Sequence, residues 1–222
     1  MDQVFLLVRN PRFAIPSYHK IKYELSNADK ESKSNDGEGS QWESWRDAHL
    51  NEELNRWSEY IEYWMQDGPK SNSTDGEGPE EDWHCFREDC TPKAVIQFEK
   101  LMSPNPITGQ NEMNKIGSIL ATSPNLHSVD QEVRPCVYNQ VMSRRQLQKD
   151  NDGPTSNNLK SFTTDQLGLM KAKIETLKEK YSAHPWSQRP VAIDLTNALD
   201  YYVGEIEAEY QLSKQQDAME ED

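Results

Sequence analysis

The chain has 222 residues, of which 34% are hydrophobic, and its formal net charge at pH 7 is −14. This length suits one domain with a core of its own, whereas the low apolar fraction requires long solvated segments. The acidic excess repels nucleic acid and anionic lipid headgroups, and no apolar run reaches the ~18 residues of a membrane span. We therefore expect a soluble chain with neither nucleic acid nor a membrane span.

The charge is distributed unevenly along the chain. Residues 31–90 hold 5 Lys and Arg against 17 Asp and Glu, whereas residues 1–30 hold 5 against 3. A small anion could therefore bind at the locally basic N-terminal segment.

The N-terminal residues predict a strand, a turn and a helix. Residues 4–8 form a continuous apolar run, typical of a buried strand in a parallel sheet, which ends at Arg9-Asn10-Pro11. Apolar residues then recur at helical spacing over 13–25, where Pro16 fits only in the first turn of a helix.

Helices account for most of the remaining pattern. The spacing predicts a helix over 41–66, with Trp57 and Trp64 on its apolar stripe, and further helices over 111–120, 163–181 and 194–212. A capping-box pattern opens the helix at Thr163. Residues 121–162 are predicted to be largely irregular.

A second apolar run, residues 94–98, reads as another buried strand. We expect it to be a neighbouring or nearby strand of residues 4–8 in one parallel sheet. The face of the intervening helix that carries Trp57 and Trp64 is expected to pack on or beside that sheet.

Two polar side chains of the N-terminal segment favour an anion site. Arg9 lies at the predicted strand end, and Ser17 follows one helical turn or so into the helix. A guanidinium group and a hydroxyl group that converge in this way suit a phosphate monoester. The alternative is a surface arginine and a helix serine that both face water.

The segment from Arg9 to Ser17 resembles the 3'-phosphate-binding motif of sulfotransferases, where an Arg-Asn/Asp-Pro turn closes a strand and a Ser follows eight residues after the Arg. Phe13 departs from the acidic residue common there. The resemblance implies that Arg9 and Ser17 bind the 3'-phosphate of the donor 3'-phosphoadenosine 5'-phosphosulfate. It also implies transfer of a sulfuryl group to an acceptor hydroxyl or amine in the intact enzyme.

The stretch from residue 94 onward is similar to the family's strand that ends in a Tyr-Glu-Asp-Leu-like turn. Phe98 takes the place of the aromatic residue near the adenine in some members, and the alternative for it is a core strand aromatic. A loose similarity to carbohydrate-type members makes a carbohydrate a possible acceptor and the Golgi lumen a possible compartment for a full-length parent.

The resemblance implies an α/β domain with part of the P-loop-like sulfotransferase fold, in which a short parallel sheet has flanking helices. We place it at residues 1–145, with acidic insertions at 26–40 and 67–82, then a polar linker at 146–162 and a helical C-terminal extension at 163–222. The family's 5'-phosphosulfate loop is not recognisable, so no catalytic base is assigned. The alternative is a noncatalytic sulfotransferase remnant that acts as a protein-interaction module.

Other chemistry-bearing residues give weaker patterns. The thiols of Cys85, Cys90 and Cys136 are too few and too odd in number for a disulfide framework, and their spacing with His84 is poor for zinc. We expect no metal. The tryptophans of 41–66 suggest either a sugar-stacking platform or, for Trp57 and Trp64, core residues.

Composition also predicts where the chain should be cut by proteases. Residues 26–40, 67–82 and 149–158 cannot bury enough apolar surface to offset the entropy of ordering. Limited proteolysis should therefore cleave first within these segments. Earlier cleavage within 41–66 or 163–181 would contradict this map.

Overall fold

The computed structural model describes residues 4–25, 38–65, 92–151 and 162–220. Strand β1 (Phe5–Val8) pairs in parallel with β2 (Ala94–Gln97), with Phe5 opposite Ala94 and Val8 opposite Gln97. The prediction of two adjacent parallel strands is thus confirmed. Within the described residues the fold is mostly helical with this short sheet, which agrees with the coarse α/β class.

The described part of the chain contains seven α-helices besides the sheet. They are α1 (Pro11–His19), α2 (Glu38–Met65), α3 (Phe98–Leu101), α4 (Pro106–Leu120), α5 (Arg134–Asn151), α6 (Thr164–Ser182) and α7 (Pro190–Glu220). None of the helices in these ranges is long and apolar enough to cross a membrane.

Helix α1 begins earlier than the spacing predicted. Asn10 caps it, because its side chain accepts a hydrogen bond from the backbone N–H of Arg12 at 3.1 Å, and Pro11 occupies the first helical position. Pro16 consequently lies in the second turn, so the prediction that it falls in the first turn is wrong. Its ring nitrogen has no hydrogen to donate to the Arg12 carbonyl. The chain continues as a π-helix, Lys20–Leu25.

The predicted strand over 94–98 is one residue too long. Strand β2 ends at Gln97, and Phe98 is the first residue of α3. Helix α6 agrees closely with its prediction, since the Thr163 side chain and the Gln166 side chain form the expected capping box. Helix α7 extends further in both directions than the predicted 194–212.

The prediction that residues 121–162 are largely irregular is wrong for α5, Arg134–Asn151. Its apolar periodicity is weak, and contacts with α4 hold it in place. Tyr138 packs against Gly109 and donates its hydroxyl to the Ser103 carbonyl at 3.1 Å. Arg134 is buried, and its Nη1 donates to the Asn114 carbonyl of α4 at 3.4 Å. These tertiary contacts outweigh a local pattern that favours no helix.

Parts of the predicted polar segments can be compared with the structure. Residues 38–40 belong to α2, and residues 149–151 end α5, so the prediction is wrong there. The rest of 26–40, 67–82 and 149–158 lies outside the described residues.

One hydrophobic cluster joins the N-terminal segment to the C-terminal helices. It contains strand residues, the buried face of α2 and the inner faces of α6 and α7, among them Leu6, Val8, Leu54, Ile61, Leu167, Met170, Ile174, Leu195, Leu199 and Tyr202. The domain boundaries drawn from the sequence stay a prediction. The described residues on both sides of the predicted linker nevertheless share this core.

Two glycines give a matched test of the packing between α4 and α5. A Cβ atom on Gly109 would lie 1.7 Å from the Tyr138 hydroxyl and 2.1 Å from its ring, whereas a Cβ atom on Gly204 would have nothing within 4 Å. Gly109→Ala should lower the free energy of unfolding by about 1–3 kcal/mol, because the ring must move. Gly204→Ala should raise it by up to about 1 kcal/mol through helix propensity. Urea denaturation measures both changes, and equal effects would contradict the packing.

Candidate functional site

The two sequence-predicted site residues meet at the carboxyl end of the sheet. Arg9 follows β1, and its Nη1 donates a hydrogen bond to Oγ of Ser17 at 2.7 Å. Phe98 follows β2, and the Arg9 guanidinium lies over its ring, 4.8 Å from the centroid. Because the strands are parallel, both strand ends reach the same edge. We call Arg9, Asn10, Ser17, Phe98 and Glu99 the strand-end site.

Phe98 is not the core strand aromatic that one alternative predicted. It is half-buried at the start of a helix, so it is not a core strand residue. Its ring contacts the Arg9 guanidinium, a cation–π contact that favours one orientation of that group. A role beside an adenine ring stays a prediction.

The backbone of Arg9 is held as well as its side chain. The indole N–H of Trp57 donates to the Arg9 carbonyl at 2.9 Å. Trp57 and Trp64 are partly buried and pack against the main hydrophobic cluster without belonging to its buried residues, so the interpretation of both as core residues is confirmed only in part. Helix α2 thus fixes the point at which β1 ends and the site begins.

Glu99 is a site residue that the sequence analysis did not single out. Its side chain is only 12% exposed, and Oε1 lies 3.8 Å from Nε of Arg9 and accepts from the backbone N–H of Asn10 at 3.1 Å. Burial raises the pKa of this carboxyl group above its ordinary value. The nearby N–H groups, the Tyr202 hydroxyl and the Arg9 charge oppose that rise only in part. Its position directly after a strand end was the available signal.

Asn10 joins this edge of the sheet to α7. Its exposed fraction is 0%, and while Oδ1 caps α1, Nδ2 donates to Oε2 of Glu205 at 2.9 Å. The Tyr201 hydroxyl donates to the other oxygen of Glu205 at 2.9 Å. Burial, followed by the hydrogen bond to Glu205, raises the pKa of Tyr201 to about 12.

Helix α7 also reaches the end of β1 directly. The Tyr202 hydroxyl donates to the Val8 carbonyl at 2.9 Å, and burial raises the pKa of this phenol far above its ordinary value. Glu209 forms an ion pair with Arg12. Tyr201 and Tyr202 therefore both stay protonated at physiological pH, and their hydroxyl groups act as hydrogen-bond donors.

The backbone N–H groups at the start of α1 are already used. The N–H of Arg12 bonds to the Asn10 side chain, and those of Phe13 and Ala14 bond to the Asn10 carbonyl at 2.9 Å each. Pro11 has no N–H group. An anion at this edge would therefore depend on side chains, chiefly the Arg9 guanidinium and the Ser17 hydroxyl, rather than on the helix N-terminus.

The described residues contain no group of three or more His, Cys, Asp and Glu side chains placed to hold a metal ion. Cys136 is an exposed free thiol. The other two cysteines, with His84, lie outside the described residues.

Comparisons with known proteins add no relative. No family model, no curated protein and no solved structure matches the chain. The resemblance to sulfotransferases therefore depends on the residues quoted above.

Two Asn-Pro helix starts allow the link between Asn10 and α7 to be measured. Asn10 and Asn105 both cap a helix by accepting from the backbone N–H two residues later, but only the buried Asn10 also donates to Glu205. Asn105→Ala should cost about 1 kcal/mol of unfolding free energy, the usual value of a cap. Asn10→Ala should cost about 2–4 kcal/mol, because a charge-assisted hydrogen bond is lost as well. Equal losses in urea denaturation would contradict a structural link to α7.

Proposed function

We propose that the strand-end site binds the phosphate monoester of a nucleotide, and that the chain belongs functionally with the sulfotransferases. In this proposal Arg9 and Ser17 hold the 3'-phosphate of 3'-phosphoadenosine 5'-phosphosulfate, the sulfate donor. The observation that carries it is the 2.7 Å hydrogen bond between these two side chains, eight residues apart at the carboxyl end of a parallel strand.

The hydrogen-bond directions suit an anion. Ser17 Oγ accepts from Arg9, so the hydroxyl hydrogen of Ser17 is left to donate to a phosphate oxygen. A guanidinium group presents several N–H donors in one plane, an arrangement that suits the oxygens of a phosphate. Phe98 beneath the guanidinium and Trp57 on the Arg9 carbonyl support this orientation before a ligand arrives.

Within sulfuryl transfer these residues would position the donor. The sulfuryl group would pass in line to an acceptor hydroxyl or amine, and the proposed class of acceptor is a carbohydrate. Arg9 and Ser17 would meanwhile hold the donor by its 3'-phosphate, at a point far from the sulfur atom. Their contribution to rate is orientation rather than contact with the reacting atoms. No catalytic base is assigned.

A noncatalytic remnant that binds a protein partner is the second candidate. Two observations favour it: Glu99 already lies beside Arg9 at 3.8 Å, and α2 carries the exposed tyrosines Tyr60 and Tyr63, each 53% exposed. Exposed tyrosines are typical of interfaces. This candidate requires no nucleotide at the strand-end site, so the same titration separates the two.

Titration with adenosine 3',5'-bisphosphate, followed by the amide resonances of residues 9–17, tests the proposal. Millimolar ligand should shift these resonances, and adenosine 5'-monophosphate, which lacks the 3'-phosphate, should shift them less. Arg9→Gln should weaken binding by about 10- to 150-fold, the equivalent of ~1.5–3 kcal/mol for a hydrogen bond to a charged group. Ser17→Ala should weaken it less, since the hydroxyl donates one bond.

Arg12→Gln is the matched control, because Arg12 carries the same charge in the same turn but pairs with Glu209 on α7. This variant should retain most of the affinity. Affinity that is equal in the Arg9 and Arg12 variants would contradict specific binding at Arg9. A complete absence of shifts would favour the noncatalytic candidate.

A further inference from the structure

Arg9 has an internal anion beside it. Glu99 approaches its Nε at 3.8 Å with Oε1, while Nη1 on the other side of the guanidinium is bonded to Ser17. Glu99 Oε2 is buried and has no hydrogen bond of normal geometry within the described residues, and the nearby Tyr202 hydroxyl, which donates to the Val8 carbonyl, favours the ionised form only in part. An ionised carboxylate with one desolvated, unbonded oxygen depends strongly on a neighbouring positive charge.

We infer that Glu99 is an internal counter-ion that regulates anion binding at Arg9: it pairs with the guanidinium and opposes an incoming phosphate until it takes up a proton. This inference rests on the proposed function, since it describes the regulation of the same site. Glu99 acts through Arg9 and is a positioning residue, not a catalytic one.

The physical reason is the competition of two anions for one cation. A phosphate group bonded to Arg9 and Ser17 would stand close to Glu99, because all three side chains meet around one guanidinium group. Two anions beside one guanidinium repel each other, and the repulsion is stronger beside the mostly buried Glu99 than in open water. Protonation of Glu99 removes the repulsion, so binding of the phosphate and uptake of a proton should be coupled.

Surrounding groups make Glu99 the carboxyl group most suited to this role. The groups that influence it are Arg9 from the β1–α1 turn and Tyr202 from α7; Glu205 of α7 and Glu112 of α4 lie around the same tyrosine hydroxyl. Glu205 is held by hydrogen bonds from Asn10 and from a neighbouring tyrosine. Glu112 is bonded to the backbone N–H of Gln97 at 2.8 Å. Neither has a described contact with the Arg9 guanidinium.

Among the described residues, Lys100 and Tyr201 also lie close to this edge. Lys100 lies 5.5 Å from the centroid of the Tyr201 ring, and the Glu99 charge contributes to the raised pKa of Tyr201. Burial has already raised the pKa of Glu99. A bound phosphate adds a negative charge and shares the Arg9 charge, and both changes raise that pKa further.

The test uses the full chain and adenosine 3',5'-bisphosphate as the probe. Glu99→Gln removes the charge but keeps an oxygen that can accept from Asn10, and it should raise the affinity at pH 7 about tenfold. Glu209→Gln is the matched control: it removes a carboxylate at the same edge that pairs with Arg12 and not with Arg9, and it should change the affinity little. A merely structural role of Glu99 would lower the affinity instead of raising it.

A second measurement does not require the Glu99 variant to fold. The carboxyl ¹³C resonance of Glu99 in the wild-type chain is followed against pH, without and with saturating bisphosphate. The midpoint should move to higher pH with the ligand. An unchanged or lower midpoint would overturn the inference.

The outcomes separate this inference from the proposed function. Wild-type binding that depends on Arg9 but is unaffected or weakened by Glu99→Gln overturns the counter-ion role and leaves the phosphate site intact. Binding by the Glu99→Gln variant alone supports the counter-ion role in its strongest form. If neither wild type nor variant binds the bisphosphate at millimolar concentration, both the phosphate site and its regulation are overturned.

Discussion

Three distant parts of the chain meet at the buried side chain and backbone of Asn10. Its Oδ1 caps the N-terminus of α1. Its backbone N–H donates a hydrogen bond to Glu99, which follows β2, and its Nδ2 donates one to Glu205 on α7. An amide with no exposed surface must satisfy its hydrogen bonds within the protein, because an unbonded buried polar group costs about 1–3 kcal/mol. The turn that carries Arg9 therefore has its observed shape only when α3 and α7 are in place.

The C-terminal helix is for this reason part of the site. Tyr202 is fully buried, adds its ring to the core and donates its hydroxyl to the last residue of β1, Val8. Arg12 and Glu209 add an ion pair between the same two elements. A two-stranded sheet is too small to be stable alone, and α7 supplies much of the apolar surface against which it packs. The site thus depends on contacts between residues nearly 200 positions apart.

The sequence pattern predicted correctly those features that depend on residues close together in the chain. The two apolar runs became strands, and the Thr163 capping box formed, since the local order of side chains favours both. Helix α5 was missed because its apolar spacing is weak and packing of Tyr138 on Gly109 stabilises it. The spacing of apolar residues within α5 cannot show that α4 packs against it.

Some contacts of the candidate site could likewise be predicted from local sequence, and others could not. Arg9 and Ser17 could be paired from the sequence, because a strand-turn-helix brings residues eight apart together. The roles of Glu99 and Glu205 could not be predicted from the sequence. Their hydrogen bonds to Asn10 depend on where α3 and α7 lie in the fold. Asn10 was visible as part of the turn, yet its bond to α7 has no sequence signature.

The charge balance of this edge follows from that long-range assembly. Arg9 and Arg12 face Glu99 and Glu209, so each guanidinium of the turn already has a carboxylate beside it. The two pairs differ in how the carboxylate is supported. Glu99 is mostly buried and its pKa is raised, whereas Glu209 is about twice as exposed, with a side-chain accessibility of 24% against 12%. Neutralising Glu99 therefore requires less free energy than neutralising a carboxyl group at its ordinary pKa, and under the proposed regulation this makes the Arg9 charge available to a phosphate.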